Sequence, residues 1–361
     1  MKRRDVLAGA GALALSGCAA KQQDCVAGTG GQRYTWKMVT TWPPNFPGLG
    51  TGVLQLAKFI EDASGGRLRI KVYAAGELVP AFEVFDTVSR GTAEIGHGAA
   101  YYWKGKSEAA QFFTALPFGM NTLEMNGWLY YGGGLELYRE LYAGFGLLPF
   151  PAGNTGVQMG GWFNKEIDSL ADLQGLKMRI PGWGGEVLKR AGGTPVSLPG
   201  AEIFTALQTG SIDATEWIGP YNDVAFGLHK AAKYYYYPGW QEPGPVLECI
   251  VNRQAFDALP KDLQTIVKLA CSAINDRMTA EFTARNAQSL ETLKSEGEVE
   301  LRRFPDDVMK QLQTLTGEVV DELVARDPVA ARIYKSYSAF ENTVGAWTKI
   351  SERAMLDIRS P

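Results

Sequence analysis

The sequence predicts an α/β protein built as two lobes. Strand-like and helix-like segments alternate through its first hundred residues after a polar N-terminal tract. A strand–helix–strand unit at residues 175–217 sets an arginine and a glutamate at two strand ends. About 330 residues follow the polar tract, enough for two domains or one two-lobed domain.

The elements follow in order. Residues 34–41 alternate as a strand, and residues 49–63 carry apolar side chains at helical spacing until Gly65-Gly66 stops them. Residues 68–73 alternate again, 81–89 read as a helix, and 93–98 as a short buried strand. This β-α-β-α-β order predicts a mostly parallel sheet covered on both faces. After Asn121 come two helices split by Gly132-Gly133-Gly134, then strands near 147–152 and 157–163. The 175–217 unit comes next, followed by strands at 233–237 and 246–252. The expected boundaries are an export signal at 1–17, a flexible tether at 18–32, one lobe at 33–155, a second at 156–242, a return to the first at 243–325 and a C-terminal helix at 326–361.

Two late features extend this plan. From Lys261 to about Ser295 no glycine or proline interrupts a helical pattern. At 1.5 Å per residue this gives roughly 50 Å, longer than one small lobe, so the helix should bridge both. Further on, Ile333, Tyr337, Phe340, Val344, Trp347, Ser351, Ala354 and Ile358 recur at an alternating 4/3 spacing, a seam of coiled-coil type. Packing on its own subunit and contact with a second copy both fit this seam. Its place after the globular part and its large aromatics favour the second.

In the 175–217 unit, Lys177-Met178-Arg179-Ile180-Pro181 reads as a strand ended by proline. An amphipathic helix, a glycine turn at Gly210 and a second strand ending in Glu216-Trp217 follow. Ligands of open α/β sheets bind beyond the carboxyl ends of the strands. Arg179 offers a guanidinium to a carboxylate and Glu216 a carboxylate to a cation, with no nucleophile or base between them. This pattern predicts binding, not catalysis.

The N-terminus says where such binding takes place. Lys2-Arg3-Arg4 precedes a short run from Val6 to Leu15, too short to span a bilayer, which reads as an export signal. The paired arginines suggest the twin-arginine route to the periplasm, although a lysine stands where a serine or threonine is usual. Leu15-Ser16-Gly17-Cys18 also resembles a lipobox that would lipidate Cys18; an ordinary cleavage site beside a chance cysteine is the alternative.

The formal charge is −3. Loss of residues 1–17 removes a net +2 and leaves −5, far from the basic balance that nucleic-acid binding needs. No apolar run reaches 18 residues. Cys18 and Cys25 lie in the signal and tether, while Cys249 and Cys271 sit in apolar surroundings and read as free buried thiols more readily than as a disulfide.

Enzyme signatures are missing. His97 and His229 are the only histidines, neither in a metal-ligand spacing, and no Gly-x-Ser-x-Gly or Cys-x-x-Cys motif occurs. Gly48-Leu49-Gly50-Thr51-Gly52 lacks the lysine of a phosphate loop and reads as a turn.

Several motifs taken together resemble one family. They are Gly65-Gly66-Arg67-Leu68-Arg69-Ile70, Gly76-Glu77-Leu78, Gly91-Thr92-Ala93-Glu94-Ile95-Gly96, Leu116-Pro117-Phe118, Leu173-Gln174-Gly175-Leu176-Lys177-Met178-Arg179 and Ala206-Leu207-Gln208-Thr209-Gly210-Ser211-Ile212-Asp213. In this order and spacing, over most of residues 34–325, the chain resembles the solute receptors of tripartite ATP-independent periplasmic (TRAP) transporters. The resemblance implies a two-lobed periplasmic binding protein-like fold with a hinge and a long lobe-spanning helix, closing on an acidic solute that is handed to membrane permease subunits. It implies that Arg179 pairs with the ligand carboxylate, a task suited to its planar fork.

Glu216-Trp217 is similar to the branch that binds 2-oxo acids through a cation. By that similarity Glu216, the Trp217 carbonyl and the Gln158 amide oxygen would hold the ion, sodium or else calcium, since all-oxygen ligation suits a hard cation. Tyr101 would bond the carboxylate from the opposite lobe, and Asn154, Trp183 and Asn222 are further pocket candidates. The same branch dimerises by swapping an extra C-terminal helix, which fits the seam. The expected ligand is a pyruvate-like 2-oxo monocarboxylate. A 2-hydroxy acid such as lactate, or a polyol with calcium, is the alternative, and an exported enzyme acting on carboxylates is the remote one.

Overall fold

The computed structural model describes residues 32–297 and 299–359. The expected export signal, the tether as far as residue 31, Cys18 and Cys25 lie outside the described residues.

The chain opens with β1 (Tyr34–Thr40), α1 (Gly50–Ala63), β2 (Leu68–Tyr73), α2 (Val84–Ser89) and β3 (Ile95–Gly98). Val53, Leu56 and Ile60 face inward from α1, and Gly65 and Gly66 end it with positive φ of 60° and 75°. The left-handed region costs a glycine little, which is why this pair stops the helix. Next come α3 (Thr122–Tyr131), α4 (Gly134–Ala143) and β4 (Leu147–Asn154). Asn121 caps α3 in a reciprocal box with Glu124.

A second layer starts with β5 (Gly161–Phe163), β6 (Lys177–Arg179), α5 (Gly182–Arg190) and β7 (Thr194–Val196). It continues through α6 (Gly200–Gln208), β8 (Ala214–Thr215), α7 (Pro220–Phe226) and β9 (Tyr234–Tyr237). The chain then runs through β10 (Val246–Asn252), α8 (Arg253–Asp257), α9 (Lys261–Glu296), β11 (Glu300–Arg303), α10 (Asp306–Arg326), α11 (Pro328–Ile350) and α12 (Glu352–Arg359).

Two mixed sheets result, ordered β2-β1-β3-β10-β4 and β11-β9-β5-β8-β6-β7. In the first sheet the expected parallel pairing is confined to β1, β2 and β3, while in the second β6 runs parallel to β7 and β8, and β11 to β9. Within the first sheet β10 runs antiparallel to both β3 and β4, because the chain returns from the second layer in the opposite direction. At 36 residues α9 is about 54 Å long. It touches both layers: Gly153 N–H donates to Asn275 at 3.2 Å beside the first sheet, and Tyr221 N–H donates to Asn286 at 3.0 Å beside the second. The strand after it, β11, pairs with β9, so the segment expected to return to the first lobe begins in the first sheet with β10 and also contributes a strand to the second.

The C-terminal seam divides in two. Ile333 and Tyr337 are buried, Tyr337 Oη accepts from Met120 N–H at 2.9 Å, and Phe340 lies so close to Gly132 that a Cβ there would meet its ring at 2.7 Å. Beyond Val344 the apolar side chains stand open: Trp347, Ile350 and Ile358 are 64%, 72% and 79% exposed. Cys249 and Cys271 are buried free thiols. No helix among the described residues is long and apolar enough to cross a membrane.

Candidate functional site

The expected strand-end pair comes together in the second sheet. β6 and β8 are parallel neighbours with Arg179 opposite Thr215, so Arg179 and Glu216 leave adjacent carboxyl ends. Both side chains are buried, at 1% and 0% exposure. They are bonded directly, Arg179 Nη1 donating to Glu216 Oε1 and, at 3.2 Å, to the Glu216 carbonyl. Arg179 Nε donates to the Leu198 carbonyl at 3.3 Å, and its guanidinium lies over the Trp217 ring at 5.1 Å. Nη2 has only a long contact, 3.5 Å to the Tyr102 hydroxyl, so that edge of the fork keeps donor capacity.

The acceptors nearby are under-used. Glu216 Oε2, Gln158 Oε1 and Gln241 Oε1 are buried with no hydrogen-bond partner. Gln158 Nε2 donates to Glu242 Oε2 at 2.8 Å and to Thr155 Oγ1 at 3.2 Å, which leaves its amide oxygen free. Burial pushes the Glu216 carboxyl up to about 7 against the pull of Arg179. Burial also raises Glu242, helped by the charge of Glu216 and opposed by Arg179. Burial lowers Arg179, but Glu216 and the two tyrosines override this and leave it raised.

Two buried carboxyls share one guanidinium, so burial favours a proton on at least one of them, and both can ionise beside an acidic ligand only with further positive charge at hand. Buried charge of this kind requires a counter-charge. Unpartnered carboxylate and amide oxygens are the donor set of a hard cation. The residues present therefore fit sodium or calcium. Among the described residues no group of three or more His, Cys, Asp or Glu could hold a metal ion, so a zinc-type cluster is not part of this site.

Aromatic rings close the site. A cavity of about 10 Å³ is lined by Trp42, Tyr101, Tyr102, Gln158 and Trp217, with Leu49 and Leu247 among its apolar walls. Trp42 Nε1 donates to His97 Nδ1 at 2.8 Å, which leaves the His97 proton on Nε2 to donate to the Ala152 carbonyl at 3.0 Å. Burial draws His97 down to about 4, so it stays neutral and fixes the Trp42 ring.

The other expected pocket residues fare differently. Tyr101 lines the cavity, whereas Tyr102 is the tyrosine that reaches Arg179. Asn154 is occupied: its Oδ1 accepts from Thr122 and Gly156, both at 2.8 Å, and its Nδ2 donates to the Gly244 carbonyl. Asn222 accepts from Trp217 Nε1 at 3.3 Å and donates to the Pro47 carbonyl at 3.0 Å, which holds the Trp217 ring. Trp183 packs on Phe112 and lines a different, wider cleft. Sequence reasoning missed Glu242 and Gln241. Their one signal is an acid and an amide in a proline- and glycine-rich loop just beyond β9.

Residues 38–327 match the bacterial extracellular solute-binding proteins, family 7 (DctP). A monocarboxylate 2-oxoacid-binding periplasmic protein of Nostoc sp. is 43% identical over 98% of this chain and 97% of its own length. The crystal structure of a TRAP periplasmic solute binding protein from Pseudoalteromonas atlantica T6c, with bound sodium and pyruvate, is 46% identical, with a TM-score of 0.88 over 90% of this chain and 99% of that one. A TRAP transporter solute binding protein from Bordetella bronchiseptica RB50 is 38% identical, with a TM-score of 0.90 over 91% of this chain and 98% of that one. Its crystals hold a mixed-occupancy dimer with calcium and picolinate in one active site and the other apo. On matches that span the whole folded body, this chain belongs to the family 7 bacterial extracellular solute-binding proteins.

Proposed function

We propose that this protein is the extracytoplasmic receptor of a TRAP transporter, capturing a small 2-oxo monocarboxylate of pyruvate type with a bound cation and delivering it to membrane permease subunits. The observation that carries this reading is the set of buried, unpartnered oxygens on Glu216 and Gln158 beside the open edge of Arg179. Arg179 would take the carboxylate, with Tyr101 opposite it. Glu216, Gln158 and the Trp217 carbonyl would take the ion; one similar structure is described with bound sodium and another with calcium. Asn154 and Asn222 would shape the surrounding loops. Lobes at 33–155 and 156–242 would close about the site by hinge bending, with 243–325 linking them. Export would follow the twin-arginine route, with Cys18 as a candidate lipidation site.

Thermal shift after chelation tests the ligand, using pyruvate, lactate and a dicarboxylate, each with and without sodium or calcium. Ligand at 100 times its dissociation constant should add roughly 2.7 kcal/mol of stability. Stabilisation by pyruvate only with a cation is expected; no shift with any 2-oxo acid would sink the reading. The residues at 326–361 would join two copies through the exposed apolar end of the seam. Truncation before Pro328 should give monomers by light scattering, and a persistent dimer would count against that role.

A further inference from the structure

We propose that Asp223 is a positioning residue that aims the Trp217 carbonyl at the bound cation; this rests on the cation-dependent receptor reading above. Asp223 is buried in α7 and uses both carboxylate oxygens. Oδ2 accepts from Trp162 Nε1 at 2.9 Å and from Tyr235 Oη at 2.7 Å, which anchors it to β5 and β9. Oδ1 accepts from the backbone N–H of Ile218 at 3.3 Å and of Gly219 at 3.2 Å.

The Ile218 N–H and the Trp217 C=O belong to one peptide group. That group is planar and trans, so its N–H and C=O point in opposite directions. Holding the N–H on Asp223 therefore turns the carbonyl oxygen away from Asp223. The neighbouring carbonyls are all engaged: that of Glu216 by Arg179 and Thr215, that of Ile218 by Met159 N–H, and that of Gly219 by Asp223 N–H. Among the described residues the Trp217 carbonyl alone in this run accepts no hydrogen bond, and Trp217 and Ile218 both line the small cavity. A negative charge at the N–H end also polarises the peptide and makes its oxygen a better ligand for a cation. Asp223 thus bonds β5 and β9 through one oxygen and directs a ligand through the other.

The two oxygens supply the test. Asp223→Asn keeps the size of the side chain and loses its charge, and Tyr235→Phe removes one anchor from Oδ2 alone. Cation titrations at saturating pyruvate, read by melting temperature, should show half-saturation rising about tenfold or more in Asp223→Asn, the range for outer-shell partners of metal ligands. Tyr235→Phe should melt earlier yet keep the wild-type half-saturation. In chelated wild-type protein, hydrogen exchange should find the Ile218 and Gly219 amides protected, and Asp223→Ala, which removes the acceptor, should expose them. Half-saturation within twofold of wild type in Asp223→Asn would overturn the proposal, as would fast exchange at both amides in wild type. A wild-type protein whose pyruvate response ignores cations would remove the cation from the reading above and overturn this proposal, while leaving a pyruvate receptor in place.

Discussion

Two hollows of very different size lie close together in this molecule. The wider, about 630 Å³, opens between residues 104–111, α5 and α10, and the smaller encloses about 10 Å³ beside Arg179. Volume points to the first, chemistry to the second. Around the wide cleft the charges answer one another: Lys104 pairs with Glu186 at 2.7 Å, Arg190 with Glu322 at 2.5 Å and Arg326 with Glu108 at 2.5 Å. Its unpartnered buried atoms are one acceptor, Gln111 Oε1, and one donor, Trp183 Nε1, a combination that a single water can serve. At and around the small cavity, Gln158 Oε1 from its lining and Glu216 Oε2 and Gln241 Oε1 behind it are unpartnered acceptors, one of them on a carboxylate. Water cannot supply the missing charge there, and a cation can.

The largest expected effect is at the small site. Arg179→Ala should abolish ligand binding by calorimetry and leave Glu216 and Glu242 buried without their cation, a loss of about 3–5 kcal/mol in stability. Retained affinity would erase the contrast. Next comes Glu216→Gln, which should remove the dependence of binding on sodium or calcium and weaken binding more than about tenfold. An unchanged cation titration would move the ion elsewhere.

Glu248 gives a control in the first sheet, where a buried carboxylate is fully answered by Trp103, Tyr138 and Tyr142. Burial raises it to about 7 against those hydrogen bonds. The folded state therefore holds its proton more tightly than the unfolded one, so its contribution is complete below about 4.5 and declines as pH rises towards 7, by up to about 3 kcal/mol. The melting advantage of wild type over Glu248→Gln should shrink between pH 5 and 7.5, while pyruvate affinity stays unchanged. A constant difference would show that the carboxyl is ionised throughout. The smallest effect belongs to the wide cleft: Lys104→Ala removes a half-exposed ion pair worth less than about 1 kcal/mol, so affinity should move by less than about fivefold.

Which parts were legible in the sequence follows from the same contrast. Arg179 and Glu216 could be read because strand ends in an α/β pattern are positions with known geometry. Their direct bond could not, since nothing in the spacing sets the distance between two side chains from adjacent strands. Asn154, Asn222 and Trp183 have the right chemistry for a pocket, but the folded chain spends the two amides on its own loops and turns the indole to another cleft. Glu242 lies in a loop without periodicity, where local pattern says nothing about tertiary position. The antiparallel placement of β10 was equally hidden, because strand direction depends on where the chain has come from. The C-terminal seam was visible as a period, but a period alone does not say that its first half, from Ile333 to Phe340, packs at home.

The rod-like α9 sets a constraint of its own. Asn275 and Asn286 reach opposite layers from positions eleven residues apart, three turns and about 16 Å along the axis. Eleven residues return a helix almost to its starting azimuth, so both amides project from nearly one side. Insertion or deletion of a single residue between them would swing one by about 100° and leave a backbone N–H without its acceptor. The interval from 275 to 286 is thus a fixed gauge length in this chain: a residue added or lost outside it leaves both contacts in phase, whereas one added or lost inside it breaks one of them.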